Sequence, residues 1–240
     1  MTGGAGYLGS EVCRLGVEAG HEVTATRFRT PPPHGRAVAL DVREPFDTDA
    51  EVIVHTAYVM NDADTIVRGT RNAAAAAERA GARLIHLSTD LVFDGEHAPY
   101  AEEDEALPVS EYGRAKLAAE RLLPAGALVV RTSLLYGRPG GPQEALAARG
   151  DVVFHTDEIR TPVHVSDLAA ALLDLAALEI TGTLHLAGPD AVSRLELARL
   201  LGARDPKGAP TPPGRARNVA LDSSRARALV PTKIRGLLHS

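Results

Sequence analysis

Short runs of aliphatic and β-branched residues alternate with longer segments of helical period along almost the whole chain. Runs of this kind, apolar on both faces, pair as parallel strands joined by crossover helices, so the alternation predicts an α/β fold with a doubly wound parallel sheet. Strands are expected at 22–26, 37–40, 52–55, 83–88, 127–132, 152–154 and 183–186, and helices at 7–19, 62–80, 111–123, 166–178 and 194–201. Gly20, Gly81 and Gly202 stand where left-handed caps close helices, and Ser166 and Ser193 where N-caps open them. The alanine run 73–77 lies inside a helical segment with Arg71, Glu78 and Arg79, which marks close packing on the sheet.

The composition allows a sizeable core, since 45% of the 240 residues are hydrophobic. Acidic groups outnumber basic ones, 31 to 26, and the arginines are scattered, so there is no footprint for a nucleic-acid backbone. A single cysteine, Cys13, excludes an internal disulfide and a CxxC zinc site and is expected as a buried apolar residue. No metal site is expected, the acidic run 102–105 being read as a solvated loop. The longest apolar stretch, 168–178, falls short of the ~20 residues that span a bilayer. The first residues lack the basic and apolar regions of a signal peptide, and the expected location is cytoplasmic.

Gly3, Gly6 and Gly9 recur every third residue immediately before an amphipathic helical segment. Glycine there allows a tight turn and brings backbone N–H groups against a pyrophosphate at the positive end of the helix. About twenty residues on, where an acid would hold a ribose 2′-hydroxyl, the chain carries Arg27 and Arg29. Cationic side chains suit a 2′-phosphate, so the expected cofactor is NADP (NADPH) rather than NAD.

Tyr112 and Lys116 form a YxxxK pair, four residues apart on one helical face. An ammonium near a phenol lowers its pKa and lets it exchange a proton with a carbonyl or alcohol oxygen. Thr89 lies at the carboxyl end of a predicted central strand, where such sheets bind ligands, and can donate to the same oxygen.

The order of the glycine loop, Ser88-Thr89-Asp90-Leu91-Val92-Phe93-Asp94-Gly95, Tyr112-Gly113-Arg114-Ala115-Lys116 and Arg131-Thr132-Ser133-Leu134-Leu135-Tyr136-Gly137 resembles the extended short-chain dehydrogenases/reductases. Within them it is most similar to the dTDP-4-dehydrorhamnose reductases and related sugar-nucleotide reductases. The resemblance implies a Rossmann-type sheet with a small C-terminal substrate lobe. It places Tyr112 as proton donor, Lys116 on the nicotinamide ribose, and Thr89 on the substrate carbonyl. For the cofactor it implies Gly3, Gly6, Tyr7, Leu8, Asp41, Val42, Thr56, Ala57, Tyr58 and Ser88 beside the catalytic pair. For the substrate it implies Asp90, Phe93, Ser133 and Arg160, the arginine reaching a nucleotide diphosphate through its bidentate fork.

Two departures from that pattern bear on function. Leu91 stands where the related dehydratases carry Glu, which removes the carboxylate that elimination needs. Ile66 stands near the position of an asparagine that supports a proton-relay water in the superfamily. The expected activity is NADPH-dependent reduction of a keto group on a nucleotide-activated deoxysugar. The alternatives are a sugar-nucleotide epimerase with tightly held cofactor and a non-catalytic NADP-binding regulatory subunit. A small-molecule nucleotide sugar is the expected partner, with no nucleic acid and no membrane, for a monomer or homodimer. Residues 1–138, completed by about 160–188, are expected to form the dinucleotide-binding core, and 139–159 with 189–240 a small substrate-binding lobe. The glycine loop has almost no strand before it, so the first strand is expected to be truncated by about four to six residues.

Overall fold

The computed structural model describes residues 1–237. In chain order the elements are α1 (Tyr7–Glu18), β1 (Thr24–Arg27), β2 (Arg36–Ala39), β3 (Val52–His55), α2 (Ala63–Ala80), β4 (Arg83–Thr89), α3 (Glu111–Glu120), β5 (Leu128–Thr132) and β6 (Leu135–Tyr136). They continue with α4 (Pro142–Ala147), β7 (Val153–His155), β8 (Ile159–Arg160), β9 (Val163–His164), α5 (Val165–Ala176) and β10 (Gly182–His185). The last are β11 (Val192–Ser193), α6 (Arg194–Leu200), β12 (Lys207–Ala209) and α7 (Ser224–Leu229). A short 3₁₀ turn, Asp90–Val92, follows β4.

β10, β5, β4 and β3 pair in parallel in that order, and β1 pairs in parallel with β2. Met1 and Thr2 fill the slot between these two groups. The Met1 ammonium donates to the Thr24 carbonyl and the Met1 carbonyl accepts from Thr26 N, while Thr2 N donates to Val54 O at 3.1 Å and Thr2 bridges His55 in parallel. The sheet therefore reads β2–β1–(Met1-Thr2)–β3–β4–β5–β10, with a two-residue central rung. The narrow rung explains a shift of register: the strand expected at 22–26 is observed at Thr24–Arg27, where it finds partners on both sides.

Helices α1 and α5 cover one face of this sheet and α2 and α3 the other. The first side is packed by large aliphatic residues such as Leu168, Leu172, Leu175, Leu184 and Leu186, all fully buried. On the second side the helix comes close because its face is made of Ala73, Ala76 and Ala77, packed on Ile53 and Leu84. Cys13 is buried as expected. Gly81 closes α2 in the left-handed region and Ser193 caps α6, whereas α5 is capped by His164, two residues earlier than Ser166 suggests. The Ser166 hydroxyl instead donates to Glu11.

Beyond the sheet, β7 pairs with β12, β8 with β11, and α4 packs on α6 around Ala147, Phe154, Leu195 and Ala198. Among the described residues no helix is long and apolar enough to cross a membrane.

Candidate active site

The glycine loop turns tightly between Met1-Thr2 and α1. Gly3 adopts φ +71°, and a Cβ on Gly9 would lie 2.1 Å from the Gly3 carbonyl oxygen, so the turn tolerates no side chain at either position. Gly6 precedes α1 and supplies no side-chain cap, which leaves the first-turn N–H groups of α1 directed into a cleft of about 1140 Å³ at the carboxyl edge of the sheet. An anion with the shape of a pyrophosphate fits this cradle.

The other expected cofactor residues converge on the same cleft: Tyr7, Leu8, Arg27, Arg29, Asp41, Val42, Thr56, Ala57, Tyr58 and Ser88 all line it. Asp41 is held by a fork from Arg43, 2.6 Å at its shortest, and that hydrogen bonding draws its carboxyl below the ordinary range. Phe28 stands exposed between the guanidinium groups of Arg29 and Arg43, at 5.3 and 5.5 Å from its ring centre. Phe28 and Arg43 were missed in the sequence. An aromatic residue between two arginines at a strand end was the available signal for the first, and Arg43 carried none.

At the carboxyl end of β4, Thr89 accepts from Leu91 N and donates to Asp90 at 3.1 Å. Ser110 caps α3 by accepting from Gly113 N, and this fixes the helix that carries Tyr112 and Lys116. All three predicted catalytic residues line the cleft. Lys116 is 4% exposed, donates to the Leu87 carbonyl and lies 3.4 Å from His86 Nε2. Burial draws its pKa down to about 8, against the pull of Glu120. The phenol departs from expectation: burial first, then Tyr58 and Asp90, raise the Tyr112 pKa well above the ordinary tyrosine value, with Arg160 opposing. Desolvation of the ring sets the direction, and the cation that opposes it is Arg160 rather than the lysine expected to acidify the phenol. Ile66 is buried against Tyr112, Ala115 and Ala119, so an apolar side chain occupies this part of the α2–α3 contact.

Two expected substrate residues do not reach the cleft. Phe93 is fully buried and stacks on Tyr100 with ring centres 4.1 Å apart, because the 3₁₀ turn after β4 directs it into the core. Asp90 is also fully buried, and its carboxylate is saturated by Arg160, by Ser133 Oγ at 2.5 Å and by Thr89. Arg160 grips Asp90 with Nε at 2.7 Å and with Nη2, so its bidentate fork is spent on a carboxylate within the protein. One edge of Arg160 still faces the cleft, as does Ser133.

Around that edge the sequence reading missed a charged group. Glu158 is buried with Arg160 Nη1 at 3.6 Å, Arg194 at 4.0 Å and Arg215 at 3.0 Å, and His155 Nδ1 at 2.7 Å. Burial would raise the Glu158 pKa, but the His155 hydrogen bond and the three guanidiniums hold it below the ordinary value. Burial and the like charges of Arg160 and Arg215 lower the pKa of Arg194. Three guanidiniums against two carboxylates, Glu158 and Asp90, leave one net positive charge on the wall where Pro142, Gln143 and Leu146 complete the cleft. His155, Glu158 and Arg160 are close in sequence, but Arg194 and Arg215 come from separate segments, so no local spacing announced the cluster as a whole.

A parallel α/β sheet with a glycine cradle, and a Tyr–Lys pair in the same cleft, define an NAD(P)-dependent oxidoreductase of the short-chain dehydrogenase/reductase type. The chain belongs to the family described as RmlD substrate binding domain, whose model matches residues 1–235. It is 35% identical over 226 residues to dTDP-4-dehydrorhamnose reductase of Mycobacterium tuberculosis, covering 83% of this chain and 72% of that protein. It is 31% identical over 230 residues to methionine adenosyltransferase 2 subunit beta of Rattus norvegicus, covering 82% and 69%. In structure it is similar to a hypothetical dTDP-4-dehydrorhamnose reductase from Sulfolobus tokodaii, with TM-score 0.84, 28% identity and coverage of 97% and 94%.

Proposed function

We propose that this protein reduces a keto group on a nucleotide-activated deoxysugar with NADPH, Tyr112 supplying the proton. The observation that carries the reading is the opening of Thr89, Tyr112 and Lys116 onto the cleft that holds the glycine cradle. The first turn of α1 takes the cofactor pyrophosphate, and Arg27, Arg29 and Arg43 about Phe28 take the 2′-phosphate and adenine. When bound, the nicotinamide supplies the hydride. Thr89 donates a hydrogen bond to the substrate oxygen and Tyr112 Oη passes its proton to that oxygen as charge develops on it. The buried phenol holds its proton through neutral pH, which suits reduction better than the base step an epimerase needs. The wall of Arg160, Arg194 and Arg215 takes the substrate diphosphate. The residues expected to form a substrate lobe, 139–159 and 189–240, supply that wall together with Arg160.

The test is rapid mixing with NADPH and a dTDP-4-keto-6-deoxysugar. Loss of nicotinamide absorbance is expected, slowed about 10²- to 10⁴-fold in Tyr112→Phe. Equal rates in the two proteins defeat the reading. A second reading, a binding subunit, is supported by the likeness to methionine adenosyltransferase 2 subunit beta. Under that reading NADPH binds without being consumed.

A further inference from the structure

Lys116 carries its charge in a place with little to balance it. It is buried apart from its edge on the cleft, and among the described residues no carboxylate lies within ion-pair distance. Glu120, on the same helix, is engaged by Arg131 at 2.8 Å and by the Ser88 hydroxyl. The ammonium is therefore left to neutral acceptors, and two are within reach: the Leu87 carbonyl and His86 Nε2 at 3.4 Å.

His86 is built to accept. It is buried in β4 and its ring stacks on His55 of β3, centres 5.4 Å apart and planes 23° apart. His55 is pinned in turn, its Nδ1 2.8 Å from the Thr2 hydroxyl and its Nε2 3.4 Å from that of Thr70. Both rings are kept neutral by burial and by the lysine. A proton on Nε2 would set donor against donor, so the contact requires the proton on Nδ1. Among the described residues that Nδ1 has no hydrogen-bond partner, so the ring leaves one polar atom unsatisfied while its lone pair faces the ammonium.

We propose that His86 is a positioning residue that holds Lys116 charged and aimed into the active site by accepting from it at Nε2. The groups facing the lysine are His86 from β4, His55 from β3, Tyr112 and Glu120 from α3, and Tyr58 from the loop after β3, whose ring centre is 5.7 Å from Nζ. Tyr58 also stacks at a tilt on Tyr112, so a lysine drawn off His86 would be displaced within the Tyr58–Tyr112 corner. The inference rests on the proposed part of Lys116 in catalysis, but its test needs no turnover.

Lys116, Lys207 and Lys233 are the only lysines of the chain, so the full-length protein labelled with ¹³C,¹⁵N-lysine gives three resolvable titrations. The Lys116 signal is expected to titrate near 8 in the natural chain. In His86→Leu it is expected to fall by about one unit or more, with Lys207 and Lys233 unmoved, and in His86→Gln, whose amide oxygen can accept, to return most of the way. A Lys116 titration unchanged in His86→Leu overturns the proposal. The unsubstituted protein supplies an independent check that survives a variant's failure to fold. Long-range ¹⁵N,¹H spectra are expected to show neutral His86 protonated at Nδ1, and protonation at Nε2 overturns the proposal. A protein inert toward keto sugars would still pass or fail both tests.

Discussion

Asp90 shows how a motif residue can matter to a site without reaching its cleft. It is fully buried, and its pairing with Arg160, completed by Ser133 and Thr89, leaves no lone pair of the carboxylate unused. Removing one member strands the other charge, so Asp90→Ala is expected to destabilise the protein by about 3–5 kcal/mol in urea unfolding. The double variant Asp90→Ala/Arg160→Met is expected to recover a large part of that loss, because no buried charge is then left alone. Neither role was legible in the sequence. The two residues are seventy positions apart, and nothing local to either one names the other. The gathering of Thr89, Tyr112 and Lys116 in one cleft was legible, because a strand end brings the first and a helical spacing that the cap at Ser110 preserves brings the other two.

Helix α3 is the element on which the site depends, and it is held against the turn after β4 through Gly113. A Cβ there would lie 2.1 Å from the Leu91 carbonyl oxygen and 2.9 Å from Pro108 Cβ, and a backbone oxygen has nowhere to go. Gly113→Ala is expected to push the helix away, lowering stability by about 1–3 kcal/mol and the single-turnover rate with it. Gly126→Ala, with nothing near the added carbon, is expected to stay within about 0.5 kcal/mol in the same thermal and kinetic measurements. The long elements were readable because their apolar periods run for several turns or for whole buried strands. The six-residue helices α4 and α7 and the two- and three-residue strands β6, β8, β9, β11 and β12 were not, since each is too short to show a period and exists through partners distant in sequence.

At the scale of the whole molecule, the buried histidines give stability a pH dependence. Burial first, then the charges of Lys116 and the N-terminus, hold His55 down to about 3, and His86 is displaced in the same direction. The unfolded chain takes up these protons below about pH 6.5 while the folded one does not. Their contribution is complete above that value and is lost as pH falls toward 3, at up to about 1.4 kcal/mol per pH unit for each histidine. Urea midpoints are expected to drop between about pH 7 and 5, with a gentler slope in His55→Gln. The region beside the sheet has a different consequence. Its paired strands and packed helices alternate along the chain, β7 with β12, β8 with β11 and α4 with α6, while α5 and β10 of the main sheet are threaded between them. The substrate preference proposed for it could not be transplanted as one cassette. An exchange between relatives has to move 142–160 and 192–219 together, and a chimera joined anywhere between them would inherit half of each partner's walls.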